Sequence, residues 1–253
     1  MATSGAQDPV AIKQLAPTGK LRVGIGVGPV ASAFWSTRDP GTGAPRGVTV
    51  DLGTELAKRL GVPVELISYA NSGELTEAAA AGGWDVAFMP VDAEREKIVD
   101  FGPAYYIFES TYLVPAGSTI RSLSDVDRTG VRVVGIANTS TARSAGRSLK
   151  NTAVIPVRTV EEIEEMLQSG KADAVALGRE SLSALAAKFP GSRILAGSFQ
   201  KTGVAVAVPK GHSKALAVAS AFIEAAKTSG SVRRALDRAG IDGPVAPPAP
   251  PKH

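Results

Sequence analysis

In this 253-residue chain an arginine follows an aspartate by three residues, just beyond a short apolar run. Asp85 to Met89 reads as a short buried strand, the chain then turns, and Asp92 opens a short helix carrying Arg95. A cation on a first helical turn past the carboxyl end of a buried strand stands where open α/β sheets bind ligands. Its planar fork suits a carboxylate. The competing reading is a surface arginine paired with Glu94 or Glu96. Phe34 and Trp35 fall in the loop after the first strand, where an aromatic is either a core lid or a ligand platform. Gly24, Gly26 and Gly28 lead into that loop, but they miss the G-x-G-x-x-G spacing. Pro29 and a Gly/Pro/Asp-rich segment follow where a helix should start, so no dinucleotide cofactor is expected. With no Cys, and His only at 212 and 253, neither thiol chemistry nor a metal centre is expected.

The chain is long enough for one large or two modest domains. Its 28 Lys and Arg are scattered among 24 acids, for a net charge of +4. No basic face interleaved with stacking aromatics emerges, which argues against a nucleic-acid partner. No run approaches the roughly 18 apolar residues of a membrane span. Met1 to Gln7 lacks the basic-then-apolar pattern of a signal peptide, so the chain is expected to be cytosolic or to have lost a leader.

The elements that must position these residues alternate. A polar arm, 1–19, with a helical turn near Val10 to Leu15, precedes a first strand at Leu21. Leu52, Leu56 and Leu60 form an i, i+4, i+8 stripe on a helix that Gly61 stops. A strand from Val62 to Ser68, a helix capped by Asn71 or Ser72, and the strand at Asp85 complete a β-α-β-α-β order. That order implies a mostly parallel sheet. After the β-favouring run Ala104 to Val114 the pattern restarts: strands at Val131, Ala153 and Asp173, with helices from Thr139 to Leu149, after a Thr159 capping box, and from Ser181. Gly-Lys-Ala-Asp-Ala-Val at 170–175 answers Gly-Gly-Trp-Asp-Val-Ala at 82–87, and Val-Pro-Lys-Gly-His-Ser after Ala207 echoes Val-Pro-Ala-Gly-Ser at 114–118. Two such strands bracketing one α/β unit point to a double crossover between lobes. Helices from Ala215 to Lys227 and Val232 to Arg238 return to the first lobe, and the Pro-rich tail is expected to be disordered.

The ordered set Leu-Arg-Val-Gly, Gly-Val-x-Val-Asp-Leu, Lys-Arg-Leu-Gly-Val, Trp-Asp-Val-Ala, Glu-Arg, Val-Asp-Phe, Pro-Ala-Tyr-Tyr, Gly-Lys-Ala-Asp-Ala-Val and Gly-Val-Ala-Val resembles the family 3 extracellular solute-binding proteins. The resemblance covers roughly residues 20 to 240. It implies a two-lobed periplasmic-binding-protein fold of type II, each lobe a mostly parallel sheet flanked by helices, joined by two crossover strands. The implied partition is lobe 1 at 20–112 and 207–242, lobe 2 at 113–206, and a tail at 243–253. The implied function is non-catalytic binding of a small carboxylate-bearing solute in an interlobe cleft that closes on it. The implied setting is a periplasmic or extracellular monomer feeding an ABC importer, with no cofactor. Residue by residue, Arg95 matches the carboxylate-clamping arginine, and Asp92 takes the place of a threonine as an N-cap. Asn138, Thr139 and Ser140 match a helix-start segment whose N–H groups and hydroxyl meet the same carboxylate. Phe34 or Trp35 matches an aromatic wall.

Departures from the family pattern bear on the ligand. Met89, Pro90 and Val91 stand where Ser or Gly residues usually meet an α-ammonium, and Pro90 offers no N–H. The acid expected five positions after the Asp173 aspartate is Gly178, followed by Arg179, which is a surface residue or a second cation in the cleft. Glu109, on the strand leading to the crossover, and Asp92 are the acids able to replace it. The expected ligand is therefore a small carboxylate lacking an α-ammonium, with an ordinary amino acid as the alternative should Asp92 or Glu109 turn inward. Two other readings stay open: a sensory or orphan binding module of the same fold, and a cyclohexadienyl-dehydratase-like enzyme with Glu109 or Asp92 as general acid.

Overall fold

A computed structural model describes residues 8–27 and 34–249. Residues 1–7 of the arm, the glycine segment from Gly28 and Pro29 to residue 33, and residues 250–253 of the tail lie outside the described residues. The chain divides into two compact units whose described residues are 8–27, 34–107 and 203–249 in the first and 108–202 in the second.

The first unit begins with α1 (Pro9–Leu15), capped by Asp8, whose carboxylate accepts from the Val10 N–H at 2.9 Å. The arm is therefore a docked helix: Ala11 and Leu15 are buried, and the Gln14 side chain accepts from the Ala215 N–H. Next come β1 (Leu21–Gly26), the small hairpin β2 (Thr37–Arg38) and β3 (Pro45–Arg46), and α2 (Val48–Leu60). The leucine stripe of α2 faces the core, and Gly61 ends the helix in the left-handed region at φ 71°. β4 (Val64–Tyr69), α3 (Ser72–Ala80) with Asn71 as N-cap, and β5 (Val86–Pro90) complete the expected alternation. β4 and β5 flank β1 as parallel neighbours. β5 is buried along its whole length, as a central strand covered on both faces must be. One turn of 3₁₀ helix at Arg95–Lys97 leads into the long strand β6 (Val99–Val114), which leaves the unit after Ile107.

The second unit repeats the plan. It holds the rest of β6, α4 (Leu123–Val126), β7 (Val133–Ile136), α5 (Ser140–Ser148), β8 (Val154–Val157), α6 (Val160–Gln168), β9 (Ala174–Gly178), α7 (Arg179–Lys188) and β10 (Arg193–Ile194). β8 and β9 flank β7 in parallel, and β9 pairs antiparallel with β6. The Thr159 hydroxyl caps α6 from the Glu162 N–H, but the Glu162 carboxylate takes the Arg158 N–H, one residue before the cap, so the box is only half built.

β11 (Gln200–Pro209) returns to the first unit from Gly203 and pairs antiparallel with β5; α8 (Ser213–Thr228) and α9 (Ser231–Arg238) follow. The units meet along the chain within β6 and β11, not at the Val-Pro-x-Gly repeats, which mark the far end of each strand. The tail, expected to be disordered, is docked through residue 249. Val245 bridges Tyr106, the Ala246 N–H donates to the Tyr105 carbonyl at 2.9 Å, and Lys227 donates to the Pro247 carbonyl. An open edge of β6 gives these backbone groups partners that composition does not reveal.

The two Gly-x-x-Asp echoes have one physical role. Asp85 accepts from the Arg22 backbone N–H at 2.9 Å and from its guanidinium at 2.6 Å. Asp173 accepts from the Arg132 backbone N–H and guanidinium at the same distances. Each carboxylate is a bidentate clasp at the amino-terminal edge of its parallel sheet.

Candidate functional site

In each unit the central strand has one parallel neighbour reached before the other, in the orders β4-β1-β5 and β8-β7-β9. The switch points lie between β1 and β5, and between β7 and β9, and ligands of open α/β sheets bind beyond the carboxyl ends of strands there. The loops leaving β1 and β5 carry Phe34, Trp35 and Arg95; those leaving β7 and β9 carry Asn138 to Ser140 and Arg179. Seven of the ten residues singled out from sequence therefore stand at equivalent places in the two units. The other three, Met89 to Val91, end β5 and begin its loop.

Arg95 is not a surface residue. It is 1 % exposed, and Glu94 pairs with Lys97 at 2.6 Å. Asp92 caps the turn, its carboxylate accepting from the Glu94 and Arg95 N–H groups at 3.1 and 3.4 Å. The guanidinium donates to the Pro90 carbonyl at 3.1 Å and to the Ser72 hydroxyl at 2.9 Å, which fixes its plane between the end of β5 and the start of α3. Pro90 thus serves through its carbonyl, while Val91 donates its N–H to the Gly203 carbonyl at 2.9 Å. Met89 is a core residue and not a site wall: it packs with Leu75, Trp84 and Val99, and its sulfur contacts the Thr76 hydroxyl. A strand buried on both faces leaves its side chains no open side. Phe34 is likewise core, fully buried, with ring centroids 4.7 Å from both Trp35 and Tyr106. Trp35, half-buried, is the aromatic of this loop with surface to offer.

In the second unit Asn138 has φ 59°, the one positive φ outside glycine among the described residues. Its side chain type tolerates that region, and such outliers cluster at functional sites. The Arg143 guanidinium donates to the Asn138 carbonyl at 3.0 Å. Thr139 is the N-cap of α5: its hydroxyl accepts from the Ala142 N–H at 3.1 Å and donates to the Ile136 carbonyl at 2.8 Å. Ser140 is buried at the first position of α5. Behind it the Ser110 hydroxyl meets Thr141 at 3.0 Å and donates to the Gln200 side chain at 2.9 Å. Arg179, partly exposed, donates to the Gly197 carbonyl at 2.7 Å and lies 3.6 Å from Glu109, which Lys201 holds at 2.6 Å. Ser110, Gln200 and Lys201, and Ser72 as a partner of Arg95, were not foreseen from sequence. Alternation along β6 and β11 was the available signal, but their partners lie 23 to 92 residues away.

Among the described residues no group of three or more His, Asp or Glu side chains is placed to hold a metal, and no helix is long and apolar enough to cross a membrane.

A two-lobed α/β chain with polar loops gathered at paired switch points has the architecture of a solute-binding protein. The chain belongs to the bacterial extracellular solute-binding proteins, family 3, whose model matches residues 24–239. It is similar to the ABC transporter glutamine-binding protein GlnH of Bacillus subtilis (strain 168), at 22% identity over 78% of this chain and 73% of that protein. Among solved structures it resembles an ancestral arginine-binding protein bound to glutamine, at 28% identity and TM-score 0.76, over 87% of this chain and 97% of that one. It also resembles an ancestral amino acid-binding protein described as a precursor of cyclohexadienyl dehydratase, at 25% identity and TM-score 0.77, over 90% and 98% of the two chains.

Proposed function

We propose that this protein binds a small carboxylate-bearing solute without transforming it, and delivers it outside the cytoplasm to an ABC-type importer. Arg95 is the observation that carries the reading: a buried guanidinium, plane fixed by Pro90 and Ser72, at the carboxyl end of β5. Each unit carries candidate groups of its own: Arg95 and Trp35 in the first, and the start of α5 with Asn138, Thr139 and Ser140 in the second. Helix-start N–H groups and a guanidinium fork are the two groups best matched to a carboxylate. Family membership and the names of the relatives support transport-linked binding.

The resemblance to a dehydratase precursor makes an enzyme the second reading. It needs a general acid, and the two candidates are otherwise engaged: Glu109 with Lys201, Asp92 with the backbone of its own turn. A thermal-shift screen against several hundred metabolites tests both readings, because a ligand that binds only the folded state raises the melting temperature. Stabilisation by one or a few carboxylates, with no product from prephenate or arogenate, is the expected result. Turnover would establish the enzyme reading, and stabilisation confined to uncharged solutes would overturn the carboxylate assignment.

A further inference from the structure

Away from the loops of the candidate solute site, α2 and α9 of the first unit lie in contact and leave a groove of about 710 Å³ between them. Asp51, Glu55, Lys58 and Arg59 line it from α2, at the i, i+4, i+7 and i+8 positions of one helical face. Ser231, Arg234 and Arg238 line it from α9, at i, i+3 and i+7. The lining holds four cations against two acids. Both acids are already engaged from the other helix: Asp51 accepts from the Arg238 guanidinium at 2.7 and 3.1 Å, and Glu55 from the Ser231 hydroxyl at 2.8 Å. Arg59 follows Glu55 by the spacing of an ordinary helical ion pair, yet the carboxylate turns to α9 instead. Arg234 donates to the Ser231 hydroxyl at 2.8 Å and to the Ser229 carbonyl at 3.0 Å, so neutral oxygens fix its fork. The side chains of Lys58 and Arg59 are exposed and, among the described residues, make no hydrogen bond or ion pair. Cations in the last turn of α2 also complement the helix dipole, but that role does not require Arg234 on the neighbouring helix. Together the two helices present an ammonium and two guanidinium groups, none of them in an ion pair among the described residues.

We propose that this groove binds the phosphate of a small soluble molecule. A phosphate group brings about two negative charges and three strong acceptor oxygens near neutral pH, enough to engage an ammonium and two guanidinium forks at once. A carboxylate meets one fork. No aromatic side chain lines the groove to stack a base, and no large apolar side chain lines it to enter a bilayer, so it suits neither a nucleic-acid strand nor a lipid surface. The site is separate from the carboxylate reading above, because no residue assigned there lines this groove.

The test follows backbone amide NMR shifts of the full chain during titration with inorganic pyrophosphate and with phenyl phosphate, at ionic strength matched with sodium chloride. Saturable shifts centred on α2 and α9 are expected with both, and benzoate is expected to leave those amides in place. The variant Lys58→Gln/Arg59→Gln changes two exposed side chains and is expected to weaken both phosphate compounds by about tenfold, the combined effect of two exposed charge contacts. Shifts that chloride alone reproduces, or that gather on the loops after β5 and β7, overturn the proposal. Unchanged affinity in the double variant does so too. Binding of poly-glutamate, or of vesicles of anionic phospholipid, with neither phosphate compound shifting α2 and α9, replaces the ligand by an acidic segment or a membrane surface and overturns it as well. None of these outcomes touches Arg95, so the carboxylate reading stands or falls by its own screen.

Discussion

In the first unit Arg22 grips Asp85 at the corner of β1 and β5, and in the second Arg132 grips Asp173 at the corner of β7 and β9. Backbone and side-chain donors correspond one for one, and the strand orders β4-β1-β5 and β8-β7-β9 correspond as well. The units differ at the other ends of those strands. One presents a buried guanidinium and an aromatic ring, the other a helix start opened by a left-handed Asn138 and a cluster of exposed cations. A common scaffold thus carries different side-chain chemistry in its loops in the two units, and loops on rigid sheets are where function is usually placed. The clasps also differ in setting. Asp85 is 3 % exposed with Arg22 at 24 %, whereas Asp173 and Arg132 are 34 % and 45 % exposed.

That difference predicts unequal costs. Removing one partner of a buried pair leaves an uncompensated charge, so Asp85→Asn should destabilise the first unit by about 2 to 4 kcal/mol. Asp173→Asn, screened by water, should cost the second unit about 1 kcal/mol or less. Hydrogen exchange reads the units separately, and equal losses of protection would break the comparison.

A smaller effect follows from pH. The hydrogen bond from the Arg132 guanidinium holds the Asp173 carboxyl below its usual range. A depressed folded-state pKa gives stability that is complete above the unfolded value, about 4, and is lost as pH falls through the folded value. Protection around β7 and β9 should therefore decline in acid, and Asp173→Asn should remove that part of the decline. An identical acid profile in the variant would show that the clasp is not its source.

Local rules were enough to read the alternation of strands and helices, a cap at Asn71 or Ser72, and the Gly61 stop, because each is written within a few neighbouring residues. The Arg95 turn was legible for the same reason. What was not legible is non-local. Arg22 and Asp85 lie 63 residues apart, and the Gly-x-x-Asp echo marked the position of the clasp without naming its partner. Met89 was singled out because it stands where the resembled family usually has Ser or Gly, and only its packing with Leu75, Trp84 and Val99 shows that it is core. Proline content masked the docking of Val245 and Ala246 onto the Tyr105–Tyr106 edge. Gly178 read as a missing acid, but the ring of Phe108, 70 positions earlier in the chain, explains why no side chain fits there.

The most direct measurement is a calorimetric titration of the solute identified by screening against wild type and Arg95→Met, with the variant's fold checked by circular dichroism. Loss of the buried cation should weaken binding by about 2 to 5 kcal/mol, the range for removing one member of a hydrogen-bonded charge pair. A folded Arg95→Met protein that binds the same carboxylate with wild-type affinity would contradict the assignment of Arg95 as its anchor.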